Sequence, residues 1–515
     1  MPFAAPALSA ANRPMLPAGF AGSPQEAQDQ AARAAVEGRP GEAAILLEAA
    51  LRGLPAEPQL RLSLARAQRA AGKFAAAVRS SRAAASQGAG AEAVFEVARA
   101  HLCLQQHREA RRALDSLVDA ARTSLPGLLL RGQVGLAARR AGEAERAFRQ
   151  ALLADPASAE AIAGLAQTQI VRGDVLGAAR SVSRLRDGDN LALALVRAQL
   201  LTAMGRPAPA IERLSGLLRR PMPAFERFRA LALLGEAYDA QGDLERAMEA
   251  WTSMNQQIGH RFDASGYLDR VERIEAWFHS AAAHALHRPV ALNRPGPVFV
   301  VGAPGAGLGL VSALFAGHPK VHSLGESEEL DRLMERIPAQ MGSAMPECVS
   351  DLATLAPDSL QRSYDSAVGV LPEGRPFTVD ASAQNLLHVG LIDLFFRSAR
   401  VVLVERDPAD LALQMFRRPW TAPGAAFAGS MADIQTYLSG HDRLVALWKS
   451  RVRRPIHAVR MEELVANPGT TVRRIVQAVG LPWSPATVEP LVSRGVFRSV
   501  GAGRRLRERS HQSAA

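Results

Sequence analysis

The sequence predicts an α-helical solenoid of repeated hairpins, followed by an α/β domain with a parallel sheet. Two observations support this fold class. The first half is rich in alanine and leucine, and a small residue recurs in it about every 34 residues. In the second half, short β-branched runs alternate with stretches of helical spacing, which is typical of a parallel sheet covered by helices.

The repeating feature of the first half is a small residue followed five positions later by alanine. A small residue suits the turn between two antiparallel helices, and alanine lets the second helix approach the first. The copies are Gly38/Ala43, Gly72/Ala77, Gly142/Ala147, Gly173/Ala178, Gly205/Ala210 and Gly242/Ala247, and Gln105/Ala110 fills the gap with glutamine in the place of glycine. This period resembles that of the tetratricopeptide repeat, with about seven copies over residues 25–255, and a plain α-helical bundle is the alternative. Because such arrays commonly hold peptides, we expect a peptide or protein partner in the repeat groove.

The segments outside the repeats have different compositions. Residues 1–24 are rich in Ala and Pro and predict a disordered tail. Residues 256–294 predict a bridging helix and linker, whose apolar face from Tyr267 to Phe278 is expected to pack on the last repeat. Residues 295–515 are expected to form the α/β domain.

Composition limits the classes of function. The net charge of +11 is carried mainly by arginine, a bias that reflects genome composition more often than function, and we expect no nucleic-acid partner. The two cysteines, Cys103 and Cys348, lie far apart, which predicts free thiols, no metal site and a reducing compartment. No apolar run reaches the roughly 18 residues that a membrane helix needs, so we expect a cytoplasmic protein without a membrane span.

A glycine-rich loop organises the second half. The apolar residues 297–301 lead into four glycines, and helical spacing resumes at Leu310. A strand, a glycine loop and a helix in this order bring backbone N–H groups and the positive end of a helix dipole to one point, which suits phosphate. The spacing from Gly302 to Gly307 fits a P-loop, but Leu308 and Gly309 stand where that loop has Lys and Ser or Thr.

Four β-branched runs predict the strands of the sheet, and they are Val298–Val301, Phe377–Val379, Val401–Val404 and Ile456–Val459. Ligands of parallel sheets bind beyond the carboxyl ends of the strands, which is where the glycine loop, Asp380 and Arg406 occur. Arg406 at such an end suits a phosphate. Asp380 is expected to anchor a loop, and His318 to shape a helix end.

The second half resembles the bacterial sulfotransferases that are fused to tetratricopeptide repeats and are related to protein-tyrosine sulfotransferases. The matching residues lie in order and are Gly302-Ala303-Pro304, Gly307, Leu310, His318-Pro319, Gly325-Glu326, Val404-Glu405-Arg406-Asp407-Pro408-Ala409-Asp410, Glu462-Glu463-Leu464-Val465-Ala466-Asn467-Pro468 and Gly480-Leu481-Pro482-Trp483. The resemblance covers residues 295–483, and the repeats extend it to most of the chain. It implies a P-loop-type parallel-sheet sulfotransferase-like domain.

The resemblance also implies an activity, a cofactor and a set of site residues. The activity is transfer of a sulfuryl group from 3′-phosphoadenosine 5′-phosphosulfate to a hydroxyl of a peptide or small acceptor. By resemblance Glu326 is the base that takes the acceptor proton, and Arg406 holds the 3′-phosphate. The implied cofactor-binding residues are Gly302, Pro304, Gly305, Ala306, Gly307, Leu308, Gly309, Arg406, Gln414 and Arg505.

The loop departs from the family pattern in its cationic and hydroxyl side chains. Gly305 stands in place of an arginine, Ala306 of a serine, Leu308 and Gly309 of two threonines, and Ala381 of a lysine in a later motif. One preorganised donor contributes about 3–4 kcal/mol of transition-state stabilisation, so these losses oppose catalysis. The alternatives are an active sulfotransferase and a catalytically inactive scaffold whose repeats bind partners. A P-loop kinase is disfavoured because nothing at the loop would hold Mg²⁺.

Other arginines could supply some of the missing charge. Arg417 and Arg418 follow the second motif, and four arginines lie between residues 504 and 509. The interpretation we favour for these arginines is a solvated basic face.

Overall fold

The computed structural model describes residues 23–53, 57–185, 190–257, 261–286, 294–325, 327, 329–342, 345–355 and 358–488. The chain divides into two compact units. The repeat unit is Met1–Phe262 together with Arg417–Ser430, and the α/β unit is Asp263–Phe416 together with Met431–Ala515. The tail predicted for residues 1–24 lies almost wholly outside the described residues.

The described part of the repeat unit forms seven helical hairpins, with one additional single-turn helix. Its helices are α1 (Pro24–Val36) with α2 (Pro40–Gly53), α3 (Pro58–Ala70) with α4 (Phe74–Ser86), α5 (Ala91–Cys103) with α6 (His107–Asp115), the single-turn α7 (Asp119–Arg122), α8 (Leu125–Ala137) with α9 (Ala141–Ala154), α10 (Ala159–Val171) with α11 (Val175–Val182), α12 (Leu191–Ala203) with α13 (Pro207–Leu218), and α14 (Ala224–Gln241) with α15 (Leu244–Asn255). Small residues allow the helices of a pair to pack closely. At Gly235, for example, a Cβ atom would lie 2.2 Å from the Trp251 indole nitrogen.

Each hairpin turns at a residue in the left-handed backbone region. These residues are Gly38, Gly72, Gln105, Arg139, Gly173, Gly205 and Gly242, with φ between 57° and 86°. The prediction placed the fourth turn at Gly142, and this was wrong, because Gly142 lies inside α9. The turn residue is Arg139, so the matching alanine is the fully buried Ala144 rather than Ala147. A non-glycine residue at φ 57° hid the true position from a search for glycine.

The first two repeats contact the start of the seventh. A Cβ atom built on Gly38 would lie 2.8 Å from Pro221, and one built on Gly72 would lie 3.3 Å from Ala224. Phe74 meets Phe225 edge to face, with ring centroids 6.1 Å apart. The repeat unit therefore curls far enough for its two ends to touch.

The α/β unit contains five strands and eleven helices among the described residues. They are α16 (Ala264–His279), α17 (Ala281–Ala285), β1 (Pro297–Gly302), α18 (Leu308–Ala316), β2 (Val321–Gly325), α19 (Glu329–Met341), α20 (Val349–Leu355), α21 (Ser359–Val368), β3 (Phe377–Ala381), α22 (Val389–Phe395), β4 (Arg400–Glu405), α23 (Pro408–Arg417), α24 (Met431–Arg451), β5 (Ile456–Arg460), α25 (Met461–Ala466) and α26 (Pro468–Ala478). Arg417, the last residue of α23, groups with the repeat unit. None of the described helices has the length and apolar character required to cross a membrane.

The strands form one parallel sheet in the order β2-β3-β1-β4-β5. The central strand β1 is buried at every position, as expected for a strand covered on both faces. Four of the five strands were predicted, and β2 was missed because His322 and Ser323 interrupt its apolar character. Because the strands are parallel, the loop after β1 opens at the carboxyl edge of the sheet. There it lies between the ends of β3 and β4.

Helix α16 belongs to the core of the α/β unit. Its residues Trp277 and Phe278 are buried there, and Phe278 meets Trp448 of α24 edge to face at 4.8 Å between ring centroids. Gly390 permits this contact, because a Cβ atom there would lie 2.2 Å from the Phe278 ring. The expectation that this apolar face packs on the last repeat was wrong. The pattern of apolar residues identified the buried face, but not its partner.

Candidate functional site

The loop between β1 and α18 turns sharply at three glycines. Gly302, Gly305 and Gly307 have φ values of 148°, 88° and 113°, in a region that side-chain-bearing residues rarely adopt. The strand ends at Gly302 and the helix begins at Leu308, two residues before the predicted start of helical spacing at Leu310. The loop is therefore not a continuous helix, and its backbone follows the strand–turn–helix path of an anion-binding loop.

Neighbouring elements close around this loop and leave no room for side chains at the glycines. A Cβ atom on Gly302 would lie 2.5 Å from the Val404 carbonyl oxygen of β4. One on Gly307 would lie 2.6 Å from the sulfur of Met461. Sequence reasoning missed the role of Met461, although its position just before the Glu462 motif could have suggested it.

The main chain of the loop supplies the donors. The first N–H groups of an α-helix lack partners one turn earlier in the helix. At the start of α18 the Leu310 N–H donates to the Gly307 carbonyl at 3.0 Å, which leaves the Leu308 and Gly309 N–H groups as the candidate donors. A helix of nine residues adds a positive dipole end at the same place. The Ala306 N–H is committed elsewhere, because it donates to the Ala303 carbonyl at 3.0 Å.

Two of the substituted loop side chains are directed into the protein. Ala306 is 1% exposed and Leu308 is 7% exposed. Gly305 contributes no side chain, and a Cβ atom there would lie 3.3 Å from the Cβ of Gln414 on α23. The predicted site residues Gly305 and Gln414 are therefore neighbours.

Arg406 lies against the loop, and its charge is already paired. Its Nε donates to Asp410 Oδ2 at 2.6 Å, and its Nη2 lies 2.5 Å from the same oxygen. Its Nη1 donates to the Gly305 carbonyl at 3.2 Å. Both side chains are almost fully buried, at 6% exposed for Arg406 and 5% for Asp410. The sequence placed Arg406 at the loop, but the spacing to Asp410 was not recognised as a charge pair.

Comparison of the chain with known protein families agrees with this architecture. Residues 297–485 match the model of the sulfotransferase family. The α/β unit is a sulfotransferase-family domain. Together with the helical repeats, this confirms the predicted solenoid followed by a sulfotransferase-like domain with a parallel sheet.

Three individual proteins that resemble this chain share little sequence identity with it. An uncharacterized protein from Aquifex aeolicus (strain VF5) is 23% identical over 291 residues, which cover 54% of this chain and only 38% of that protein. A crystal structure of a tetratricopeptide repeat protein from Parabacteroides merdae ATCC 43184 matches with a TM-score of 0.34 and 23% identity, over 45% of this chain and 93% of that one. The structure of Naa15/Naa10 bound to HypK-THB matches with a TM-score of 0.22 and 13% identity, over 95% of this chain and 73% of that one.

In the sulfotransferase-family domain, Asp380 is held by internal hydrogen bonds. This fully buried residue near the end of β3 accepts from the Tyr364 hydroxyl at 2.8 Å and from Asn385 Nδ2 at 2.9 Å. Burial and the nearby Asp380 carboxylate raise the pKa of Tyr364 well above its ordinary value, so the phenol keeps its proton and remains a donor. Asp380 anchors the turn after β3, as the sequence analysis expected.

Two hydrogen bonds join the family motifs to one another. His318 Nε2 lies 2.8 Å from the Pro482 carbonyl, and the Lys320 N–H donates to His318 Nδ1 at 3.1 Å. Because a backbone N–H donates to Nδ1, Nε2 is the ring nitrogen that donates to the Pro482 carbonyl. The Asp407 N–H donates to Glu462 Oε1 at 2.7 Å. These motif residues hold the fold in place around the loop.

Two predicted site residues cannot be placed. Glu326, the candidate base, and Arg505 lie outside the described residues, as do all the arginines of 504–509. Within the described part of the chain, no cluster of three or more His, Cys, Asp or Glu residues could hold a metal ion. Cys103 and Cys348 are buried free thiols.

Proposed function

We propose that this chain binds 3′-phosphoadenosine 5′-phosphosulfate at the β1–α18 loop and transfers its sulfuryl group to a hydroxyl acceptor. The observation that carries the proposal is the glycine cradle at the carboxyl edge of the sheet. Its glycines adopt positive φ values, and at Gly302 and Gly307 a Cβ atom would collide with β4 or with Met461. The loop leads directly into the N-terminus of α18. Membership of the domain in the sulfotransferase family supports this choice of anion.

The residues of this chain favour binding of the cofactor over a high rate of sulfuryl transfer. The cofactor, when bound, supplies an activated sulfuryl group. Main-chain N–H groups of the loop and of α18 hold its 5′ anionic end, and Arg406 supports them by fixing the Gly305 carbonyl. We assign the 3′-phosphate to the region of Arg406 and Gln414, and the acceptor proton to Glu326.

The missing side-chain donors make transfer slow. Removing one preorganised donor typically lowers turnover by about 10²–10³-fold. The guanidinium of Arg406 compensates little, because Asp410 neutralises it in a buried pair. We therefore expect a binding constant typical of a nucleotide site together with a turnover far below that of relatives with a complete loop.

The second candidate is a scaffold that binds the nucleotide and partners but does not transfer sulfate. Two observations favour it: Ala306 and Leu308 are buried instead of facing a ligand, and Asp380 is already bonded to Tyr364 and Asn385. In this case, the repeats would carry the function by binding a peptide or protein. The two candidates share the cradle and differ only in turnover.

Calorimetric titration with 3′-phosphoadenosine 5′-phosphate tests the shared step. We expect saturable binding that is lost in Gly307→Leu, whose side chain would collide with Met461 and displace the loop, and kept in Arg474→Ala, which removes an exposed arginine. Absence of binding to the wild-type chain would contradict both candidates. Incubation with 35S-labelled cofactor and a panel of tyrosine peptides and small phenols then separates them: labelled product supports transfer, and binding without product supports the scaffold.

A further inference from the structure

The repeat unit contains a segment that comes from a distant part of the chain. Residues Arg417–Ser430 follow α23 and yet group with the helices of the first 262 residues. Half of the segment is a short 3₁₀ stretch, Pro423–Gly429, flanked by extended residues. It attaches to the repeats at three separated points.

The first point is the turn of the third repeat. Gln105 Nε2 donates to the Pro419 carbonyl at 2.6 Å. Gln105 holds a φ of 58° at a position where five of the other six repeats have glycine. A side chain in this conformation carries a steric penalty that glycine would avoid. The hydrogen bond to the segment gives this otherwise unfavourable glutamine a role.

The second point is an acidic face on the first helix of the seventh repeat. Arg417 Nη1 lies 3.5 Å from Asp239 Oδ2, with the two side chains 25% and 29% exposed. Glu236 lies one turn earlier on α14. Surrounding protein raises the pKa of its carboxyl, whereas the positive charge of Arg417 lowers it. Arg417 thus supplies the cation for two carboxylates, and the expectation of a solvated basic face was wrong for it.

The third point is apolar. Phe427 is 3% exposed and meets Phe262 edge to face at 6.3 Å between ring centroids. Ala428 is fully buried, and Ala425 and Ala426 are each 7% exposed. Small side chains therefore let this part of the segment lie close to the helices. The Arg418 guanidinium lies 4.4 Å from the centroid of the Trp420 ring.

We propose that Gln105, Glu236, Asp239 and Phe262 form a peptide-recognition surface whose resident ligand is the chain's own Arg417–Ser430. An amide donor meets a backbone carbonyl, an acidic pair meets an arginine, and an aromatic ring meets a phenylalanine. We call these four residues the segment-binding surface. It selects a peptide with arginine two residues before proline and an alanine-rich stretch ending in an aromatic residue. A peptide of this class from a partner competes with the resident segment.

The test supplies the segment in trans. In the full chain, residues 417–430 are exchanged for a Gly/Ser linker of equal length, and a fluorescent peptide of residues 415–430 is titrated in. We expect saturable binding to the exchanged chain at least about tenfold tighter than to the wild-type chain, where the resident segment competes. Equal binding to both chains would overturn the proposal, as would equal binding of a scrambled peptide.

Charge-matched variants locate the surface. Asp239→Asn in the exchanged chain should weaken peptide binding, and so should Arg417→Ala in the peptide. Glu245→Gln removes an exposed carboxylate from the neighbouring helix α15 and should leave binding unchanged. If Glu245→Gln weakens binding as much as Asp239→Asn, recognition is a general charge effect and the assignment to this surface fails.

A second measurement covers the case in which the linker exchange unfolds the chain. Trypsin can cleave between Arg417 and Arg418, whereas the following Arg–Pro bond resists it. In an otherwise unaltered chain, Gln105→Ala with Asp239→Asn should speed this cleavage about tenfold by removing two attachments. A cleavage rate equal to that of the wild-type chain would overturn the proposal.

Discussion

The two ends of α23 show two uses of arginine. Arg406, just before the helix, is almost fully buried and forms an ion pair with a single buried carboxylate, that of Asp410. Arg417, at the end of the helix, stays a quarter exposed and faces Asp239 at 3.5 Å. Charges removed from water are costly unless paired, whereas partly exposed charges are screened by solvent. The first arginine therefore fixes a structure, and the second suits an interaction that can exchange.

The largest expected effect comes from breaking the buried pair. Asp410→Ala leaves the Arg406 guanidinium buried without its partner, and we expect it to lower the free energy of unfolding by about 3–5 kcal/mol. Asp239→Ala, the matched change at the other end of the helix, should cost less than about 1 kcal/mol. Urea denaturation of the full chain measures both. Similar losses in the two variants would remove the distinction between them.

A smaller effect is expected when a side chain is added to the glycine loop. Gly307→Ala places a Cβ 2.6 Å from the Met461 sulfur at a φ of 113°. We expect a loss of about 1–3 kcal/mol in stability. Nucleotide affinity should fall as well, because the loop amides shift. Gly469→Ala is the control, since a Cβ at that position meets nothing within 4 Å. Unchanged nucleotide binding in Gly307→Ala would place the ligand elsewhere.

The same comparison shows what the sequence could predict. The period of the repeats and the glycine loop after β1 are local features, because a left-handed turn and a strand–loop–helix junction are encoded within a few residues. Arg406 was located at the loop for the same reason. Its pairing with Asp410 was missed, because the two residues were read only as parts of a motif. The fourth repeat turn was misplaced, since Arg139 adopts there a conformation that its residue type disfavours.

The sequence did not predict which distant segments of the chain contact one another. Nothing near Arg417 indicates that its partner lies on α14, and the apolar face of α16 gives no sign that it packs on α24. Gln105 was noticed as an exception among the repeat glycines, but its reason became clear only with the Pro419 carbonyl beside it. The local path of the chain was therefore predictable, whereas the identity of tertiary partners was not.

Glycine substitutions at two repeat turns test this reason directly. Arg139→Gly relieves a left-handed conformation and should stabilise the chain by about 1 kcal/mol. Gln105→Gly gives the same relief but loses the hydrogen bond to the segment, worth about 0.5–1.5 kcal/mol, so its net effect should be near zero. Thermal melting of the two variants compares them. An equal gain in both would mean that the Gln105 bond contributes nothing.

The smallest effect concerns pH at the exchangeable end. Surrounding protein raises the pKa of Glu236 above its ordinary 4.5, despite the opposing charge of Arg417. The folded chain then binds this proton more tightly than the unfolded chain does, so the contribution to stability is present at low pH and is lost as pH rises through the interval above 4.5. Glu236→Gln removes this titration, and its melting temperature should depend less on pH in the interval above 4.5 than that of the wild-type chain. Glu245→Gln should retain the wild-type dependence. If Glu236→Gln also follows the wild-type profile, Glu236 is not the titrating group, and Asp239 alone is left to meet Arg417.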